Sequence, residues 1–272
     1  MNFYRLKILN VLVAFILINA LAGVQPAYAA TLIVVDRADD ADISKCTDRA
    51  NDCSLRGAIN LANSYSGATI TFAGDYTISI SKQLPKVTSL ITITGNGSPK
   101  TIIQASSTTT NPSEFRIFEV SGNLSLNNLT VRNGRCKNTC NGGGILNNQG
   151  VVTVTNSIIS GNSANAGGGI YSIGTLNVTN SIISGNTAAN YGGGIVNNGS
   201  QLVVTNSTIS NNTALSIGGG IWNNSKLTIT GSNFSANHAD YGGGIYNYKN
   251  SVTFSKSTFS NNIANRDGGG IW

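Results

Sequence analysis

The chain has 272 residues, enough for one elongated domain with a continuous core. Only 10% of its residues are charged, and the formal net charge is +6. Residues 142–272 carry only Lys226, Lys249, Lys256, Arg266, Asp240 and Asp267 as charged side chains, so this half has no basic cluster to hold a nucleic acid.

Residues 1–29 read as a signal peptide. Arg5 and Lys7 make a positive start, Ile8 to Leu21 is almost wholly apolar, and Ala27-Tyr28-Ala29 fits the small-x-small cleavage pattern. The apolar run is short for a membrane span, although an uncleaved anchor is the rival reading. No later stretch is apolar enough to span a bilayer. Removal of the leader leaves 15 basic and 11 acidic residues and places the protein in an exported, disulfide-permissive setting.

Residues 30–66 form an expected N-terminal cap. Thr31-Leu32-Ile33-Val34-Val35-Asp36 opens it as a strand. An acidic cluster follows: Asp36, Asp39, Asp40, Asp42, Asp48 and Asp52. Hard oxygen ligands this close in sequence suit calcium, with Asp36, Asp39, Asp40 and Asp42 as candidates; the spacing matches no EF-hand, and a solvated acidic loop is the alternative. Ser54 to Asn63 places Leu55, Ala58, Ile59 and Ala62 on one helical face, with Ser54 as N-cap. A short amphipathic helix here would cover the open end of a solenoid.

Residues 67–140 read as irregular coils with longer loops. Ile91-Thr92-Ile93-Thr94, Phe115 to Val120 and Leu124 to Val131 contain strand patterns, and Ser106 to Ser113 is expected to protrude as a loop. The four cysteines allow three disulfide connectivities. The local pairs Cys46–Cys53 and Cys136–Cys140 are the simplest, the second stapling an extended turn. Zinc is the alternative, although the spacings lack a paired C-x2-C or a nearby histidine.

Residues 141–272 are built on six glycine triplets, each followed by isoleucine, whose first glycines are Gly142, Gly167, Gly192, Gly218, Gly242 and Gly268. The intervals are 25, 25, 26, 24 and 26 residues, the mark of a repeat architecture. Aligned on the glycines, the coils show apolar columns two residues apart: Val152, Leu176, Leu202, Leu227 and Val252, then Val154, Val178, Val204, Ile229 and Phe254. A third column runs Ile159, Ile183, Ile209, Phe234 and Phe259, and the position before it tolerates polarity and is expected to face solvent. Three short strands per coil of about 25 residues suit a single-stranded parallel β-helix, an all-β solenoid stacking at roughly 4.8 Å per coil. Asn162, Asn186, Asn212, Asn237 and Asn262 form a further column. They are read as left-handed turn residues whose amides stack along the axis. Ala164, Ala188, Ala214, Ala239 and Ala264 look like a small inward position at a tight corner.

The segment Cys53-Ser54-Leu55-Arg56-Gly57-Ala58-Ile59, with Thr31 to Asp36 and Cys46, resembles the CSLREA motif of exported bacterial β-helix proteins. Gly57 stands where that family has Glu, which puts a capping or salt-bridge role of the acid in doubt. Gly also weakens the helix by about 1 kcal/mol. The repeats are similar to those of chlamydial polymorphic membrane proteins: Gly-Gly-Gly-Ile stands for Gly-Gly-Ala-Ile, and Phe234-Ser235-Ala236-Asn237 and Phe259-Ser260-Asn261-Asn262 match Phe-x-x-Asn. These resemblances imply a right-handed β-helix of the pectate-lyase-like superfamily at the cell surface, in the outer membrane or secreted, and suggest adhesion.

Enzymes of that superfamily need carboxylates. The repeats offer only Asp240 and Asp267, about one coil apart, and exposed turn positions explain both. His238, the lone histidine, shares a column with Ser163, Thr187, Thr213 and Ile263 and reads as a variable surface residue. The residue after each triplet isoleucine is Leu146, Tyr171, Val196, Trp222, Tyr246 or Trp272. If isoleucine points inward this column points outward, making Tyr171, Trp222 and Tyr246 candidate contacts for glycans or host and cell-surface proteins, with packing as the alternative. The expectation is a non-catalytic role in adhesion, surface structure or carbohydrate contact, without cofactor unless calcium; a polysaccharide lyase or glycoside hydrolase is the alternative. The last triplet ends at Ile271-Trp272 as a new coil begins, so the repeat region reads as incomplete and open to end-to-end self-association.

Overall fold

The structure, a computed structural model, describes residues 31–47, 49–107 and 115–272, with the side chains of 137–139 excepted. The expected leader, Asp48 and most of the expected Ser106–Ser113 loop lie outside them. No described helix is long and apolar enough to cross a membrane. The described chain winds as a parallel solenoid whose coils feed four sheets of nine, eight, six and six strands.

In the regular repeats each sheet grows by one strand per coil, and the isoleucine, valine and Ile159 sheets do so in unshifted register. Ile145 pairs with Ile170, Ile170 with Ile195, Ile195 with Ile221 and Ile221 with Ile245. All five isoleucines are fully buried. The valine column aligns in the same way (Val152, Leu176, Leu202, Leu227, Val252), as does the Ile159 column. Three inward-facing columns therefore share one core, and the residues before the Ile159 column face out, Ile182 being 40% exposed.

The coil has four strands, not three. The alanine column, expected at a corner, is itself a strand: Ser163–Ala166, Thr187–Tyr191, Thr213–Ala214, His238–Tyr241 and Ile263–Asp267. Its alanines point inward as a separate small cluster of Ala188, Ala214 and Ala239. The register shifts after Ala164 and after Ala239, where neighbouring coils differ by one residue. The variation in repeat length is absorbed in two connections outside the core columns: between the alanine strand and the triplet, and between the isoleucine and valine strands, where Ile145 to Val152 is one residue longer than Ile170 to Leu176.

The asparagine column is a ladder, but its members are not the left-handed residues. The residue before each one takes that conformation, as Gly161 (φ 62°), Gly185 (φ 62°), Asn211 (φ 55°), Ala236 (φ 53°) and Asn261 (φ 53°). That turn aims the following Asn side chain inward. Asn186 Oδ1 accepts from both the backbone N–H (3.0 Å) and the Nδ2 (3.0 Å) of Asn162, and the pattern repeats at Asn212, Asn237 and Asn262. Two further ladders run parallel to it. In one, each serine Oγ accepts the backbone N–H of the serine one coil earlier, from Ser157 through Ser181, Ser207 and Ser232 to Ser257. In the other, Asn197 donates to Asn223 (2.6 Å) and Asn223 to Asn247 (2.7 Å). Buried polar groups need partners, and stacking identical amides supplies them without leaving the axis.

The cap helix spans Leu55–Ala62, with Ser54 as N-cap accepting from Gly57 N–H at 3.0 Å. Leu55, Ala58, Ile59 and Ala62 are fully buried over the end of the core. A Cβ on Gly57 would lie 1.8 Å from the Ile43 carbonyl oxygen, so glycine is what lets the 41–44 backbone lie against the helix. Arg56 is buried. Its Nε and Nη2 donate to Asp40 Oδ1 (2.9 and 2.6 Å), and its other donors reach the carbonyls of Gln83 (2.8 Å) and Lys82 (2.9 Å). This single guanidinium ties cap loop, helix and first coils together.

Candidate contact surface along the glycine ribbon

The triplets are where the chain turns from the alanine sheet into the isoleucine sheet. The first glycine of each has a positive φ, between 60° and 71°. In the stacked triplets before the last, the second and third have no room for a side chain: a Cβ on Gly193 would lie 2.5 Å from the carbonyl oxygen of Gly219, and one on Gly194 would lie 2.6 Å from that of Gly220. Backbone bonds run triplet to triplet, as from Gly193 N–H to Gly218 O (3.1 Å) and Ile195 N–H to Gly220 O (2.9 Å). The result is a continuous side-chain-free ribbon along the axis.

Two side-chain columns flank this ribbon. One is the column after the isoleucine. Tyr171, Trp222 and Tyr246 in it are half-buried, and Val196 is only 1% exposed, so the column points outward but lies partly covered. The second column, which sequence reasoning missed, is the residue before each triplet: Tyr191, Ile217 and Tyr241 stack there in register. It reaches toward the first column one coil on. Tyr191 lies 5.9 Å from Trp222, and Tyr241 lies 5.9 Å from Trp272, which also stacks on Tyr246 at 4.7 Å. The signal was present, since both tyrosines immediately precede a glycine. Tyr191 remains 43% exposed, and the Trp222 indole N–H is buried with no partner. Arg266 lies over the Tyr241 ring at 5.5 Å and donates to its hydroxyl at 3.1 Å.

Side-chain amides near these residues in the chain bond from coil to coil. Asn190 donates to Asn165 (2.6 Å), Asn265 to Asp240 (2.8 Å), and Asn224 to Asn198 (3.0 Å). His238 sits on the outer side of the alanine sheet with Nε2 3.1 Å from Asn265 Oδ1. Asp240 and Asp267 are not paired with each other: the register sets Asp267 beside Tyr241, while Asp240 is engaged by Asn265. A shallow groove of about 360 Å³ on the same sheet is lined by Ser163, Asn165, Thr187 and Leu215, the last 66% exposed.

The cap aspartates are dispersed to separate partners. Asp36 accepts from Cys53 N–H (2.9 Å), Asp40 from Arg56 and Ser81, and Asp42 from Asn60 Nδ2 (3.3 Å). Asp39 pairs with Arg37, whose hydrogen bond holds its carboxyl below the usual aspartate range. Among the described residues no three acidic, histidine or cysteine side chains converge to hold a metal ion. Cys46 lies beside Cys53 (Cα–Cα 4.3 Å) and Cys136 beside Cys140 (5.1 Å), both within disulfide reach.

Sequence reasoning also missed a charged cluster on the early coils. Glu119 binds Arg116 (3.0 Å), Lys86 (3.4 Å) and Gln83 (3.3 Å). Burial pushes its carboxyl up. Hydrogen bonds from Gln83 and Lys86, with the charges of Arg116 and Lys86, outweigh that and hold it below the usual glutamate value.

Residues 117–272 match the family described as the right handed beta helix region, and the chain belongs to that family. No curated protein matches the chain.

Proposed function

We propose that this right-handed β-helix acts outside the cell as a non-catalytic contact protein, and that the rings and amides along its glycine ribbon bind neutral glycans. The supporting observation is the pairing of two outward columns across a floor of backbone, with Tyr191 against Trp222 and Tyr241 against Trp272. Ring faces stack on the apolar faces of sugars, and side-chain amides match sugar hydroxyls as donors and acceptors. The scarcity of charge in residues 142–272 favours an uncharged partner over an acidic one. Export rests on the leader read in residues 1–29, and a surface role on the resemblance of the cap and repeats to exported bacterial β-helix proteins.

A glycan panel tests the reading. Trp222→Ala should abolish or sharply weaken binding to the neutral oligosaccharides that the parent protein retains, and Trp222→Phe should keep most of it. Circular dichroism confirms that both variants fold. Binding unchanged in Trp222→Ala across the panel would sink the contact role. Release of unsaturated or reducing ends from a polysaccharide would replace it with the lyase or hydrolase reading.

A further inference from the structure

Arg116 reaches the Cys136–Cys140 pair with its guanidinium. Its Nη2 lies 3.0 Å from Cys140 Sγ and 3.7 Å from Cys136 Sγ, and its Nε is buried with no partner at all. Cys136 is fully buried and Cys140 half-buried, so Cys140 is the more accessible of the two. The pair also brackets an insertion. Ala164 aligns with Cys136 and Ala166 with Asn141, so a single residue of the next coil faces four residues of this one.

From this geometry we propose that Cys136–Cys140 is an exchangeable disulfide, reduced by small thiols, whose dithiol form Arg116 stabilises. A neutral disulfide gains only weak N–H to sulfur contacts from a guanidinium, whereas a thiolate gains a full opposite charge, so Arg116 favours the reduced state. In the exchange, the thiolate of an external thiol attacks Cys140 Sγ and the Cys136 thiolate leaves. A second external thiolate then attacks the external sulfur of the mixed disulfide and releases the Cys140 thiolate beside Arg116. Two small thiols are oxidised to one small disulfide as the protein pair is reduced, and the released thiolates take up protons from water. Among the described side chains, the charged groups around the pair are Arg116, its partner Glu119, Lys86 bound to Glu119, and Arg135 next to Cys136 in the chain; Lys137 follows Cys136 in the sequence. Glu119 opposes the thiolate, and Lys86 offsets part of its charge. Among the described residues no lysine or arginine nitrogen bonds the sulfurs of Cys46 or Cys53, which makes that pair an internal control. The proposal rests on this local site and not on glycan binding.

The test is equilibration of the full chain in glutathione redox buffers, with differential alkylation and peptide mapping of each pair. Cys136–Cys140 should be reduced at ratios that leave Cys46–Cys53 oxidised. Arg116→Gln should shift it toward the oxidised form. In the reduced protein, the alkylation rate of Cys140 at pH 7 should fall about tenfold in Arg116→Gln, the equivalent of one pH unit. Glu119→Gln should act in the opposite sense, which keeps the idea testable if Arg116→Gln does not fold. Co-reduction of both pairs, or shifts of the same sign in the two variants, would overturn it.

Discussion

Replacing Asn212 with alanine removes the middle rung of the buried amide ladder. Asn212 Oδ1 accepts the backbone N–H and the Nδ2 of Asn186, and its own Nδ2 donates to Ile183 O (2.9 Å) and Asn237 Oδ1 (3.0 Å). In the variant, Asn186 Nδ2 keeps the Ile159 carbonyl and Asn237 Oδ1 keeps the Asn212 N–H. The Asn186 N–H is left without its acceptor in a fully buried position. An orphaned buried donor costs about 1–3 kcal/mol, and the remaining lost bonds bring the total to about 3–5 kcal/mol. That is a large share of the roughly 5–15 kcal/mol that holds a typical domain. Asn262 accepts the same pair of bonds from Asn237 but is half-buried, so water can replace it there. Asn262→Ala should therefore cost only about 1–2 kcal/mol by the same reasoning. Guanidinium unfolding followed by circular dichroism measures both, and hydrogen exchange at the Asn186 amide locates the first. Equal losses at the two positions, or a loss under about 1 kcal/mol at Asn212, would show that the ladder carries no such energy.

Three further outcomes are expected. Ser172 interrupts the ladder of Asn197, Asn223 and Asn247: its hydroxyl accepts from Asn147 (3.0 Å) but donates to Gly174 O, leaving the Asn197 Oδ1 buried and unpartnered. Ser172→Asn should supply the missing donor and raise the unfolding midpoint by the equivalent of about 1 kcal/mol; a lower midpoint would count against it. Asp40→Asn should cost about 3–5 kcal/mol, because it strips the buried Arg56 of its counter-charge, and hydrogen exchange should localise the damage to residues 36–62 rather than the repeats. Glu119, whose folded value is lowered, adds stability that is present above the unfolded value and lost as pH falls through the folded one. Acid should therefore loosen the early coils below about pH 4, and Glu119→Gln should flatten that slope in a pH series of melting curves.

The coil register was legible because three apolar columns and a glycine column repeat at one spacing, and each is answered in the structure by unshifted pairing. The fourth strand was not legible. Alanine is a poor strand former, and Ser163-Ala164-Asn165-Ala166 offers small residues where a core-facing column would show valine or isoleucine. The amide stacking of the asparagines was readable from their position, but their backbone conformation was misplaced by one residue. Asn in a turn suggests φ > 0, while here the preceding residue takes it and frees the Asn to turn inward. The serine ladder left its mark as Thr-Asn-Ser at residues 155–157, 179–181 and 205–207, with the left-handed turn at Asn156, Asn180 and Asn206. The Arg116 contact with Cys140 spans 24 residues and a change of coil, and no local pattern signals such a pair.

The ladders also explain where sequence freedom remains, and this bears on function. A residue in the glycine, asparagine, serine or isoleucine columns has its counterpart in the next coil as a packing or hydrogen-bonding partner. Changing one coil alone leaves a buried group unpaired or a backbone contact too close, as the 2.5 Å approach at Gly193 illustrates. The columns flanking the glycine ribbon are tied less uniformly: some members stack, as Tyr246 does on Trp272, and others stand exposed, as Tyr191 does. The columns run Asn141, Ala166, Tyr191, Ile217, Tyr241 and Asp267 on one side, and Leu146, Tyr171, Val196, Trp222, Tyr246 and Trp272 on the other. Within a single chain, coils that agree so closely elsewhere differ here in size, polarity and charge. Ring packing between the columns, as in Tyr191 against Trp222 and Tyr246 on Trp272, accounts for part of that contrast. Such variation is what the proposed contact role calls for, since a coil can change these side chains without altering the glycine, asparagine and serine columns beneath them.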